Sequence, residues 1–252
     1  MKNRLFTGVI LIICMLAGAV SCVTTPVPTL ELSVLDPVSG LKYQINGDAV
    51  TIVGYQGPGG HTVIPDSIDG RVVTAIGQRA FRGCSNIANI IIPNGINSIG
   101  DEAFANCIGI MHIAIPNSVT SIGNQVFSGC WNLFSITMPN NLTSIGSQAF
   151  YGCVKLISIV IPNSVISIGD KAFFSCTSLK NITIPDSVTS IGIDAFACVG
   201  VSINMPMSTG WTGGTFYCGD ITITCSPNSY AHQYCIENGI RFLVTESFPS
   251  TS

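Results

Sequence analysis

The sequence predicts a β-rich solenoid of short parallel strands, and three observations carry that prediction. Over residues 87–200 one pattern is written five times: IANIIIPNGINSIGDEAFANCIG, IMHIAIPNSVTSIGNQVFSGCWN, LFSITMPNNLTSIGSQAFYGCVK, LISIVIPNSVISIGDKAFFSCTS and LKNITIPDSVTSIGIDAFACVG. Single residue types recur in register, with a period of 23 residues in the first four copies: Pro93, Pro116, Pro139, Pro162 and Pro185, then Phe104, Phe127, Phe150, Phe173 and Phe196. Each copy also opens with alternating apolar and variable residues. A unit this short cannot close a core by itself, so each copy must bury its apolar side against its neighbours.

The opening L-x-x-I-x-I-P has the period of a short strand with one buried face, so Ile113 and Ile115 are expected to point inward while His112 and Ala114 point out. The proline cannot donate a ladder hydrogen bond and ends the strand. In S-V-T-S-I-G, Val119 and Ile122 are buried, and Gly123 relieves the steric cost of a sharp backbone turn, after a possible second strand. Val126, Phe127 and Cys130 then fall at helix-like spacing, enough for one helical turn per repeat that inserts the phenylalanine. Stacked copies make a column beginning at Phe81. Each buried phenylalanine contributes about 1.5–3 kcal/mol.

The repeat I-x-I-P-x-S-V-T-S-I-G-x-x-A-F-x-x-C resembles the BspA-like, or treponemal-type, leucine-rich repeat of bacterial surface proteins, over roughly Val63 to Met205. The flanks match too. TIVGYQGPGGHTVIPDSIDGRVVTAIGQRAFRGC is similar to that family's entry segment, and SPNSYAHQYCIENGIRF to its exit. The resemblance implies a right-handed solenoid and a role in adhesion or binding to host macromolecules. It implies no catalytic residues.

Residues 1–21 read as a secretory signal, with Lys2 and Arg4 ahead of the apolar run LFTGVILIICMLAGAV. Ala19-Val20-Ser21-Cys22 resembles a relaxed bacterial lipobox, which makes Cys22 the expected lipidation site; ordinary secretion is the alternative. Several acyl chains would anchor the protein to a membrane surface without a spanning helix. Residues 22–34, Thr- and Pro-rich, suit an extended tether. Residues 35–86 form an N-terminal cap and entry repeat: LKYQINGDAVTIVGY has two alternating runs around Asn46-Gly47-Asp48, a hairpin signal, and Asp69 to Val73 read as a loop insertion. A hairpin here covers the open end of the stack. Residues 201–245 form the C-terminal cap. Within it Ser202 to Met207 read as a degenerate strand, MSTGWTGGTFYCGD as a Gly-rich excursion, ITITC as a strand and Ser226 to Asn238 as a helix. Residues 246–252 read as a disordered tail.

Charged residues are only 9% of the chain and the net charge is −3, so there is no basic footprint for nucleic acid. Of the 11 cysteines, Cys84, Cys107, Cys130, Cys153 and Cys176 share one repeat position. Their side chains project alike, which is poor geometry for bridges between rungs, and free thiols filling a small apolar niche are expected. Cys218, Cys225 and Cys235 lie outside the repeat, and one bridge among them is open. There is no C-x-x-C or H-x-x-x-H for zinc, no G-x-S-x-G elbow, and no Lys-Ser/Thr after Gly57–Gly60 for a phosphate cradle. His61, His112 and His232 are scattered. Asp101-Glu102 is not repeated, so no calcium ladder follows. Neither an enzyme nor a cofactor is expected.

A solenoid binds through variable positions on a constant frame. The exposed strand positions form two columns: Asn89, His112, Ser135, Ser158 and Asn181, and Ile91, Ala114, Thr137, Val160 and Thr183. They make a small-residued, uncharged face suited to a protein or polysaccharide, unless it is simply solvated sheet. A second candidate is aromatic: Trp131, Tyr151 and Phe174 stand where other copies have small or polar residues, either as an exposed anchor or packed into the turn. Trp211, Phe216 and Tyr217 are a third. The sequence thus reads as an exported adhesin, lipid-anchored to the outer membrane or cell surface. The alternative is an envelope assembly module with a protein partner and no outside ligand.

Overall fold

The computed structural model describes residues 33–197, 222–225, 227–239 and 242–244. Each repeat is one rung, bonded to the next along two stretches of its backbone throughout and along a third at some rungs only. On the first, the Ser-Ile strands Ser98–Ile99, Ser121–Ile122, Ser144–Ile145, Ser167–Ile168 and Ser190–Ile191 pair in parallel with Ile over Ile. On the second, the strands Ile87–Ile91, His112–Ala114, Ser135–Thr137, Ser158–Val160 and Asn181–Thr183 present the alternating residues. On the third, each phenylalanine N–H donates to a carbonyl in the following rung: Phe104 to Val126, Phe127 to Ala149, Phe150 to Ala172. With backbone groups bonded from rung to rung, side chains are left to fill the middle.

The core is therefore a set of columns rather than a cluster. Phe81, Phe104, Phe127, Phe150, Phe173 and Phe196 stack with ring centroids 5.2–5.5 Å apart and planes within 12°. Tyr55 closes the column at one end at 5.5 Å, and Tyr234 closes it edge-on at the other at 6.2 Å. Ile113, Ile115, Val119, Ile122 and Val126 are buried, while His112 and Ala114 are exposed, as the alternation requires. Each repeat proline is followed by a tight turn in which its carbonyl accepts from a residue three further on, for example Val119 to Pro116 at 3.0 Å.

Two local readings change. The phenylalanine segment is a run of tight turns closed by bonds such as Cys130 N–H to Phe127 at 3.1 Å, not a regular helical turn. Left-handed residues interrupt it: Glu102, Gln125, Gln148 and Lys171 at φ 57°, 57°, 57° and 54°. The glycine two places before each of them is not the residue that takes the left-handed conformation. Gly146 has no positive φ, but a Cβ there would lie 2.4 Å from the Gly123 carbonyl oxygen, and one on Gly169 2.5 Å from Ser147 N. Glycine at this position lets one rung's backbone rest on the next.

At the N-terminal end Leu41–Asn46 and Ala49–Tyr55 form the expected antiparallel hairpin around Gly47 and Asp48. Val34–Leu35 adds a further antiparallel strand, so the cap reaches into the end of the stretch read as tether. The insertion at Asp69 to Val73 is not a loop. Ser67–Ile68 and Arg71–Ile76 pair antiparallel across Asp69 and Gly70, whose φ values of 51° and 75° are those of a type I′ turn. The Asp-Gly pair was the legible signal for it.

At the other end Thr222–Cys225 pairs in parallel with Asn181–Thr183, and Phe242–Val244 pairs with Thr222–Cys225. The degenerate strand Ser202 to Met207 and the Gly-rich excursion lie outside the described residues, as do the signal, Cys22, Cys218 and the tail. The cap helix is Tyr230–Glu237, shorter than read. Ser229 is its N-cap, accepting from His232 N–H at 3.1 Å, and Gly239 follows with φ 63°.

Candidate functional site

Polar side chains on the turns bond from rung to rung. Asp101 Oδ1 accepts from Asn124 N–H at 2.7 Å, Asn124 Oδ1 from Ser147 N–H at 2.9 Å, and Asp170 Oδ1 from Ile193 N–H at 2.8 Å. At the turn after the proline, Ser164 and Ser187 donate to carbonyls of the preceding rung, each at 2.7 Å. These side chains hold rung to rung and are not free for a ligand. Glu102 is held between Arg79 and Arg82 at 2.6 and 3.1 Å, and the Arg79 guanidinium keeps its carboxyl below the ordinary carboxylate range.

The predicted strand face is in register. Ser135 pairs with His112 and Thr137 with Ala114; Ser158 pairs with Asn181 and Val160 with Thr183. His61 and Val63 extend the two columns by one rung, because Gly60–Val63 pairs with Ile87–Ile91. His112 does more than face solvent: its Nδ1 lies 2.7 Å from Ser135 Oγ, and its ring meets that of Phe134 edge-on at 5.7 Å. The sheet is interrupted between Ile87–Ile91 and His112–Ala114. A shallow depression of about 320 Å³ lies there, between Asn89, Ile91, His112, Ala114, Ser135 and Thr137. A second one, of about 390 Å³, lies on the turns between Gln78, Glu102, Gln125 and Ser147. Both are open.

The aromatic trio divides. Tyr151 and Phe174 stack at 5.1 Å with planes 2° apart, and Lys171 Nζ sits 5.9 Å from the Phe174 ring centre. Trp131 occupies another repeat position and stacks on neither among the described residues. It is 55% exposed, so it is not packed into the turn. Around it are exposed side chains that strand alternation alone does not single out: Ile108, Met111, Phe134 and Ile157. The internal comparison between copies could have found them. The position of Ile108 and Trp131 holds Ser85, Val154 and Thr177 elsewhere, and that of Met111, Phe134 and Ile157 holds Ala88 and Lys180.

Cys107, Cys130, Cys153 and Cys235 are buried free thiols, Cys176 and Cys225 are buried as well, and Cys84 is half-buried. Cys225 and Cys235 share a thiol–thiol hydrogen bond, and burial pushes Cys235 up to about 12. Among the described residues no group of three or more His, Cys, Asp or Glu could hold a metal ion. No helix among them is long and apolar enough to cross a membrane.

The family model described as BspA type Leucine rich repeat region matches residues 63–164 and 143–240, in six copies. No curated protein matches. Among solved structures, the leucine-rich repeat protein of T. pallidum superposes with a TM-score of 0.63 at 23% identity, over 84% of this chain and 100% of that one. A leucine-rich repeat protein of Bacteroides ovatus superposes with a TM-score of 0.53 at 26% identity, over 83% of this chain and 66% of that one.

Proposed function

Since the chain belongs to the BspA-type leucine-rich repeat family, we propose that it is a non-enzymatic, exported lipoprotein that binds a macromolecule through the outside of its solenoid, in the manner of an adhesin. The observation that carries this reading is the strand face. Its outward residues differ from rung to rung while the inward ones repeat; they are uncharged, His112, Ala114, Thr137, Ser158 and Val160 among them are exposed, and they pair in register from His112 to Thr137 and from Ser158 to Thr183. A frame that repeats while its surface varies is the arrangement by which solenoids select a ligand. The cysteine column supports a non-enzymatic role, since the Cys130 and Cys153 thiols are buried and donate to core carbonyls.

Surface placement rests on the signal and on Cys22, with residues 23–33 as spacer. The test is binding of the purified protein to immobilised extracellular-matrix proteins and glycans. His112→Ala, Thr137→Arg and Ser158→Arg are expected to weaken binding without lowering the melting temperature. Unchanged binding by all three retires this face. Protease treatment of intact cells checks exposure, because a periplasmic assembly module would survive it.

A further inference from the structure

We propose that the corner of the solenoid carrying Ile108, Met111, Trp131, Phe134 and Ile157 docks a polypeptide segment whose apolar side chains are flanked by carboxylates. This rests on the reading of the protein as a binding solenoid and names the chemistry of its partner. The corner lies where each rung leaves its cysteine and enters the strand face, and the backbone N–H of Phe134 bonds the carbonyl of Met111 at 2.8 Å across neighbouring rungs.

The repeat supplies its own control. The same backbone accepts Ser85, Ala88, Thr177 and Lys180 at these positions in the flanking rungs, so the fold does not require large apolar residues there. Yet three successive rungs expose them, with Trp131 at 55%, Met111 at 51%, Phe134 at 44% and Ile157 at 42%. Leaving such side chains in water on neighbouring rungs marks an interaction surface. Its make-up separates the classes of partner. Sugars stack on flat aromatic rings, whereas methionine and isoleucine beside a tryptophan form the adaptable surface that apolar protein side chains enter.

Charge completes the argument. The segments 85–91, 108–114, 131–137, 154–160 and 177–183 contain no Asp or Glu, in a chain whose net charge is −3. They do contain Lys155 and Lys180, both exposed and neither in an ion pair among the described residues. An apolar patch edged by two unpaired ammonium groups is complementary to an apolar segment with acidic neighbours.

The test uses the full chain and three labelled probes followed by fluorescence anisotropy. They are a short synthetic peptide alternating glutamate with leucine and phenylalanine, the same peptide with lysine for glutamate, and a neutral chito-oligosaccharide. The acidic peptide is expected to bind at least about tenfold more tightly than the other two. Trp131→Ser and Phe134→Lys, each a residue the repeat already tolerates at that position, are expected to weaken it about tenfold with the melting temperature unchanged. Lys155→Glu with Lys180→Glu is expected to weaken it too, more so at low ionic strength. Absence of saturable binding, equal binding of the basic peptide or the oligosaccharide, or insensitivity to the corner variants overturns the proposal. So does concentration-dependent self-association that Trp131→Ser abolishes, which would make a second copy the occupant. Loss of peptide binding on Thr137→Arg alone overturns this corner while leaving the solenoid-binding reading intact, whereas failure of every matrix and glycan probe retires that reading itself.

Discussion

The Cys130 thiol donates to the carbonyl oxygen of Phe104 at 3.1 Å, from one rung to the one before it. The same oxygen accepts the Cys107 N–H, also at 3.1 Å. The relation repeats from Cys107 to Phe81, Cys153 to Phe127 and Cys176 to Phe150, at 2.9–3.2 Å. A thiol is apolar enough for the core and gives the second lone pair of each carbonyl a weak donor, which an alanine would not. The column is thus a structural ladder that ties each rung to the one before it.

Alkaline pH should undo it. Burial pushes the Cys130 thiol up to about 12 from its ordinary 9.0 and carries Cys153 well above that value. The folded chain therefore keeps protons that the unfolded chain releases above its ordinary thiol value. The stabilisation is fully present below pH 9 and is lost as pH rises towards about 12. The urea midpoint is expected to fall over that window, and less steeply for Cys130→Ala with Cys153→Ala; equal slopes would show that the ladder does not titrate. In native protein at pH 8, iodoacetamide should reach the half-buried Cys84 before any other cysteine of the column.

The phenylalanine column should be most sensitive at its centre. Phe127 is fully buried, with rings at 5.5 Å on both sides. Phe127→Ala is expected to cost about 3–5 kcal/mol and Phe127→Leu less than half of that, by denaturant melts. An alanine cost under about 1 kcal/mol would mean that rungs repack independently of the column.

The glycine that follows each Ser-Ile strand is placed for space, and the left-handed residue two places beyond it is not a glycine. Gly146→Ala, with its Cβ 2.4 Å from a backbone oxygen, is expected to destabilise by more than about 2 kcal/mol because two rungs must part. Gln148→Gly, at φ 57°, should be neutral or stabilising by up to about 1 kcal/mol. Thermal melts of the two variants should shift in opposite directions, or the second not at all; a loss in both would mean that the Gln148 side chain holds the turn.

Cys22 gives the anchor its own test. Cys22→Ser is expected to leave the precursor uncleaved and to move the protein from the detergent phase to the aqueous phase after its signal is removed by other means. Partitioning identical to the parent's would point to ordinary secretion.

The period alone determined the inward-facing frame. Because adjacent copies must touch, a residue recurring every 23 positions lies over its equivalents, which places Phe104 on Phe127, sets Cys130 into the core and turns His112 outward. Tertiary structure decided what happens between columns. That Tyr151 stacks on Phe174 while Trp131 stacks on neither depends on where each rung bends, and the local pattern does not encode that angle. Asp101 and Asn124 have no role that the sequence of one copy shows; once the rungs are stacked, their side chains bond the next backbone. The glycine at the Gly146 position reads from the sequence as a turn residue, and only the neighbouring carbonyl shows that it is a close approach. The physical reason is common to all three: burial follows from periodicity within one chain segment, whereas contacts between segments depend on distances that only the assembled rungs establish.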